Sequence, residues 1–151
     1  ASFIEALAEI GIEIDVYGND WNNYINHDNI TIFSPVYGDD QWKTLRKYRV
    51  QLNLMRPHNL DSHNMRTFEI PGIGGIQLAP ETKEHRLFFE ADKEIFLYNN
   101  VEECVDKINF LLSLTTEQTN QYRTHTREIC LKNKHSYKDR ALQVLKVLEK
   151  I

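Results

Sequence analysis

Residues 56–69 concentrate the groups in this chain best suited to holding an anion beside hydroxyls. They read Arg56-Pro57-His58-Asn59-Leu60-Asp61-Ser62-His63-Asn64-Met65-Arg66-Thr67-Phe68-Glu69. Arg56, His63 and Arg66 offer charge-assisted donors to phosphate oxygens. The segment leads into a helix, and the first N–H groups of a helix have no carbonyl partners of their own, so a phosphate or diphosphate can satisfy them. Asp61 and Glu69 stand eight residues apart, one before the helix and one about two turns along it. Carboxylates so placed can accept from hydroxyls at two ends of one molecule lying along the helix start, with its phosphates between them. Plainer roles compete: Asp61 suits an N-cap, Glu69 a solvent-facing acid, Arg66 a surface ion pair and Arg56 a brace for its own loop.

The elements that must present this segment alternate in type. A helix carries Phe3, Ile4, Leu7 and Ile10 and stops at Gly11; an alternating strand over 12–17 follows, ended by Gly18. Further strands are expected at 30–33, 50–55, 76–79 and 94–98, and helices at 39–47, 63–70, 81–90, 101–112, 116–133 and 136–151. Pro71-Gly72 is read as the stop of the helix over 63–70, and Gly72, Gly74 and Gly75 as turn formers. Alternating strands and helices predict one α/β domain over residues 1–151, a Rossmann-like parallel sheet with helices on both faces. In such folds ligands bind beyond the carboxyl ends of the strands, where the 56–69 segment would lie. A Rossmann unit opens on a central strand, whereas this chain opens on a helix. The expectation is therefore that its first strand is missing from the chain or that the sheet has rearranged. The gap beside strands 12–17 and 50–55 is expected to be filled by a segment before Ala1, a strand swapped from another copy, or direct pairing of the two.

The run Asp61-Ser62-His63-Asn64-Met65-Arg66-Thr67-Phe68-Glu69-Ile70-Pro71, with Asn53-Leu54 before it and Gly74-Gly75 after it, carries a resemblance. It is similar to the glycosyl-transferase group 1 domain of the spore-maturation CgeB-like family, over about four-fifths of the chain from Ile30 onward. The resemblance implies the C-terminal, donor-binding half of a GT-B fold in a bacterial glycosyltransferase. It places Glu69 on the ribose hydroxyls and Asp61 on the transferred sugar. It sets Asn64, Met65, Arg66 and Thr67 along the diphosphate, and the loop around residues 35–37, with Tyr37, near the base. Ser62-His63-Asn64 replace a turn that usually contains glycine, and Asp61 replaces a glutamate, which alters the reach toward the sugar. Arg66 and Arg56 would stabilise the leaving diphosphate as the glycosidic bond breaks. No cofactor or metal is implied. The acceptor, and any base for it, would belong to an N-terminal domain, so hexosyl transfer by this chain alone is not expected. A nucleotide-sugar epimerase of the same layout and a non-catalytic Rossmann-like binding domain are the competing readings.

Bulk properties exclude other classes. The chain has 151 residues, a formal net charge of −4 and 41% hydrophobic residues, ordinary values for one globular domain. An acidic balance argues against nucleic acid as the partner. Lys43, Arg46, Lys47 and Arg49 form a local basic exception, read as a solvated face or a peripheral contact with anionic lipid. The two cysteines, Cys104 and Cys130, lie far apart, and the six histidines (27, 58, 63, 85, 125 and 135) lack zinc-site spacing. His58, Asp61 and His63 are the one grouping that could meet in a loop. No apolar run reaches the roughly 18 residues of a membrane span. A cytoplasmic setting, at most peripheral to a membrane, is the expectation. Trp21 and Tyr37 read as packing aromatics before base-stacking ones.

Overall fold

A computed structural model describes residues 2–56, 59 and 61–150. Strands and helices alternate as α1 (Ser2–Glu9), β1 (Ile14–Tyr17), a 3-10 turn (Trp21–Asn23), β2 (Ile30–Phe33), α2 (Gly38–Lys47), β3 (Gln51–Leu52), α3 (Arg66–Gly72), β4 (Gln77–Pro80), α4 (Lys83–Phe88) and β5 (Phe96–Tyr98), after which α5 (Val101–Ser113), α6 (Thr116–Lys132) and α7 (Tyr137–Leu148) follow one another. All pairings between these strands are parallel, as helical crossovers require.

The side chains of β4 and β5 alternate between two apolar layers, the period-2 signature of strands buried on both faces. Leu78, Phe96 and Tyr98 point into a core with Leu7 of α1 and Cys104, Ile108 and Leu111 of α5. Ala79 and Leu97 point the other way, against Phe68 of α3, Phe88 of α4 and Ile129 of α6. A third cluster joins Ile4, Val16 and Ile25 with Trp21 and Leu54. Helices therefore cover both faces, as the alternation predicts. Cys104 is fully buried, and burial pushes its thiol up to about 12, which fits its reading as a small apolar residue. Helix α7 differs: none of its residues is buried, and Leu142, Val144, Leu145, Val147 and Leu148 stand exposed.

The expected single sheet is split in two, with strand orders β1-β2 and β3-β4-β5. Direct pairing of β1 with β3, one of the arrangements expected from the sequence, does not form among the described residues. The reason lies in the helices. Ile4 and Leu7 of α1 and Ile108 and Leu112 of α5 on one side, with Thr44 and Leu45 of α2 and Ile70 of α3 on the other, line a cavity of about 670 Å³ to which β1 and β3 also contribute. Two helix layers hold the strand edges at the margins of this groove instead of letting them meet.

Helix α3 starts and ends later than its sequence suggests, running to Gly72 with Pro71 inside it. Proline lacks the N–H of an i→i−4 bond, and in the last turn that loss is tolerated. The stop is a Schellman turn: Gly75 N–H donates to Ile70 O (2.8 Å) and Gly74 N–H to Pro71 O (2.9 Å). Gly74 has φ +74°, and a Cβ on Gly75 would stand 2.7 Å from Gln51 Oε1 and Ile70 Cγ2. Both glycines are thus required by geometry, the first by backbone handedness and the second by close approach.

Candidate functional site

The carboxyl end of β3 and the start of α3 meet at Asn53 and Asn64. Asn64 Nδ2 donates to Asn53 Oδ1 at 2.8 Å, tying the 61–65 loop to the strand it left. Asn53 is buried, yet its Nδ2 and the Oδ1 of Asn64 find no partner among the described residues. Both residues line the groove, but the two uncommitted atoms themselves are buried. Arg66, the first residue of α3, lines the same space. Its Nη1 donates to Glu69 Oε2 at 2.6 Å, and the Gln41 amide, turned with its oxygen toward the guanidinium, accepts from Nη2 at 3.1 Å. Glu69 and Gln41 thus hold the guanidinium from α3 and α2, while its side chain stays 42% exposed. Tyr37, the N-cap of α2, completes this end of the groove with a ring 72% exposed.

Other predicted site residues are held by α4 or lie exposed at the surface. Asp61, held at φ +61°, pairs with Lys83 at 3.7 Å. Ser62 Oγ donates to Glu84 Oε2 at 2.9 Å, and the His63 imidazole pairs with the same carboxylate. These two contacts, His63 first, hold the Glu84 carboxyl below its usual range. Residues 61–63 are therefore clipped to α4, with the His63 ring edge-on to Phe68 and Phe88. Met65 is exposed and Arg56 lies at the surface. His58 lies outside the described residues. Among those described, no cluster of three or more His, Cys, Asp and Glu side chains is placed to hold a metal.

Thr67 is wholly buried, and its hydroxyl lies 3.0 Å from Nε2 of the equally buried His85. His85 Nδ1 lies 2.9 Å from Pro80 O. A carbonyl can only accept, so Nδ1 carries the proton and Nε2 accepts from the Thr67 hydroxyl. Burial drives the His85 pKa down and favours this neutral form. Thr67 Oγ1 in turn accepts from the Asn64 N–H at 3.4 Å. The Thr67 side chain is thus a pin fixing the start of α3 to the end of β4. Of the helix amides, those of Thr67, Phe68 and Glu69 already donate to Asn64 O and Met65 O, so an anion at this end would meet the amides before them and the Arg66 guanidinium.

Reasoning from the sequence missed Gln41, Asn53 and His85 in these roles. Asn53 carried a signal, a polar residue repeating with Gln51 on one face of an apolar strand. Gln41 and His85 carried none, because their importance comes from neighbours distant in sequence. The basic stretch also resolves differently: Arg49 Nη1 caps carbonyls of Leu112 and Leu114 at 2.7 and 2.8 Å, so it braces the end of α5 and is not part of a free basic face.

Parallel strands wound with helices on both faces, and a groove opening at the carboxyl ends of β2 and β3, define a GT-B-like α/β domain. The fold is shared with one chain in a crystal structure of a GtfA/B complex, at a TM-score of 0.63 and 16% identity, over 99% of this chain and 32% of that one. The chain thus spans about a third of the length of that solved protein. A comparison with curated proteins gave no match. The family model described as glycosyl transferase-like matches residues 1–146, and the chain belongs to that family. Among the described residues, no helix is long and apolar enough to cross a membrane.

Proposed function

We propose that this chain is the donor-binding half of a glycosyltransferase, holding the nucleoside diphosphate of a nucleotide sugar at the carboxyl ends of β2 and β3. The observation that carries this reading is the convergence of Tyr37, Asn53, Asn64 and Arg66 on one groove in a chain of the glycosyl transferase-like family. Arg66 supplies the positive charge for the diphosphate. Gln41 and Glu69 limit its rotamers, so little reorganisation is needed when charge develops on the leaving group. Glu69, beside that guanidinium, is the acceptor for ribose hydroxyls. The Tyr37 ring offers a face for the base, and the Asn64–Asn53 hydrogen bond fixes the loop that presents Arg66 to the phosphates. Asp61 keeps an exposed carboxylate for a hydroxyl of the transferred sugar, with Ser62 and His63 shaping its loop through Glu84, and the exposed Arg56 adds positive charge for the diphosphate. The acceptor and a base for it would come from polypeptide beyond these residues.

The test is calorimetric titration with UDP, GDP, dTDP and CDP, with and without EDTA. One of the four should bind, and chelation should leave that binding intact. No binding by any of them would overturn the reading.

A further inference from the structure

The groove between the two sheets is bounded by two backbone edges whose main-chain groups face each other without pairing, apart from Leu54 O, which accepts from Asn64 Nδ2 at 3.4 Å. In parallel strands, alternate residues direct both N–H and C=O to the same side. Ile14 and Gly18 donate to Asn29 O and Phe33 O, so Ile14, Val16 and Gly18 serve the β2 side. Asp15 and Tyr17 therefore direct their main-chain groups the other way. In β3, Gln51 donates to Ile76 O (2.9 Å) and Asn53 to Leu78 O (2.8 Å), which turns the main-chain groups of Leu52 and Leu54 toward the groove. All four residues line it. Paired polar edges of this kind are complementary to an extended chain and to little else.

The walls define what kind of chain. Side chains alternating from a strand in the groove would meet Ile4, Leu7 and Ile108 on one face and Leu45 and Ile70 on the other. Both walls are mainly apolar there, so the strand is apolar at successive positions, as central parallel strands are. The polarity of α1 gives its direction. The Phe3 ring stacks on Tyr98, the last residue of β5, at 5.2 Å. Near the other end of α1, Ala8 O accepts from the Asn29 side chain just before β2. The Ser2 end of α1 thus lies at the carboxyl ends of the strands, where a strand running up the groove parallel to its neighbours would arrive.

We propose that this groove is the seat of one apolar β-strand of the same polypeptide, parallel to β1 and β3 and leading directly into α1. With it, the two sheets become one of order β2-β1-strand-β3-β4-β5, joined to α1 by a right-handed crossover. The strand spans four to six residues, roughly the length at which both edges run beside each other. The nucleotide-binding end, at Tyr37 and Arg66, lies beyond its carboxyl terminus, and the proposal does not depend on that reading.

The experiment compares hydrogen exchange in the 151-residue chain with that in the chain extended before Ala1 by Val-Ile-Leu-Ile-Val and a short glycine-containing turn. A control extension carries proline at alternate strand positions, which removes its N–H donors. The apolar extension should slow exchange at the Asp15, Tyr17, Leu52 and Leu54 amides by about a hundred-fold or more. The Val16, Gln51 and Asn53 amides, already paired within the sheets, serve as references. The proline extension should leave the four amides fast. Should the shorter chain prove unfolded, the comparison of the two extended chains decides. Three results would overturn the proposal: fast exchange at the four amides in the apolar extension, failure of that extension to fold, or slowing that appears only with dimer mass, which would assign the groove to a second copy. No nucleotide enters the measurement, so its outcome is separate from that of the titration.

Discussion

Arg66 and Glu69 illustrate how one pair can look structural and still serve a ligand. Their 2.6 Å contact lies one helical turn apart on α3, with the Glu69 side chain only 16% exposed. A partly exposed ion pair one helical turn apart contributes modestly to stability, on the order of 1 kcal/mol or less, so its removal should spare the fold. A charged hydrogen bond to ribose is worth more, roughly 1.5–3 kcal/mol. Glu69→Ala should therefore weaken nucleoside diphosphate binding by about ten- to a hundred-fold, with an unchanged circular dichroism spectrum. Unaltered affinity in that variant, measured by calorimetry, removes Glu69 from the site. Residues 61–63 are likewise engaged within the chain, by Lys83 and Glu84 of α4, while the Asp61 carboxylate stays exposed. Their types were legible, whereas the direction in which they point was not, because that depends on α4 some twenty residues on.

Helix α3 is positioned at both ends by features that can be tested apart. At its carboxyl end, Gly75→Ala would force a Cβ to within 2.7 Å of Gln51 Oε1 and Ile70 Cγ2 and 3.0 Å of Ile70 O. Overpacking of this kind costs about 1–3 kcal/mol, and urea denaturation should show a loss of that size. A neutral result would mean that β3 and α3 can move apart at no cost. At its amino end, Thr67 and His85 form the pin. His85 is held below 6.5 by burial in the folded state, whereas in the unfolded chain it titrates near 6.5. Between those values the unfolded chain binds more protons, so stability falls as pH drops below 6.5 and is complete above it. His135, depressed by burial and then by Arg140, adds to the same slope. The urea midpoint should be flat above about pH 7 and decline in mild acid. His85→Gln should lower the midpoint at pH 7.5 but flatten the decline; an unchanged slope in the variant would assign the pH dependence to other groups.

For the whole molecule, the relevant fact is that the chain matches 99% of itself but only 32% of a solved chain of the same fold. A transferase gains several kcal/mol by aligning donor and acceptor in a near-attack arrangement, and the groove at Arg66 and Tyr37 has only one wall of such a cleft. Half of a bound donor would face water. The 151-residue chain should then bind its nucleoside diphosphate weakly, with Kd on the order of 0.1–1 mM, and release none from a nucleotide sugar in the presence of an acceptor. Robust turnover by this chain in an assay for released nucleoside diphosphate would show that it holds a complete active site.

Much of this architecture is written in local pattern. Alternation in 30–33, the Val101-Cys104-Ile108-Leu111 stripe and the caps at Thr115 and Ser136 specify their elements without outside help, because backbone hydrogen bonding and side-chain period are properties of neighbours along the chain. The resemblance read from residues 61–71 is local in the same way, and the family model matches residues 1–146. Tertiary structure alone decided the rest. It left the gap expected between β1 and β3 without direct pairing, since strand pairing depends on which edges the helix layers bring together. It buried Thr67 against His85, and it brought Gln41 of α2 to Arg66 of α3. Side-chain direction at a loop is set by whatever packs beside it, and no spacing in the sequence encodes a partner that arrives from another layer of the fold.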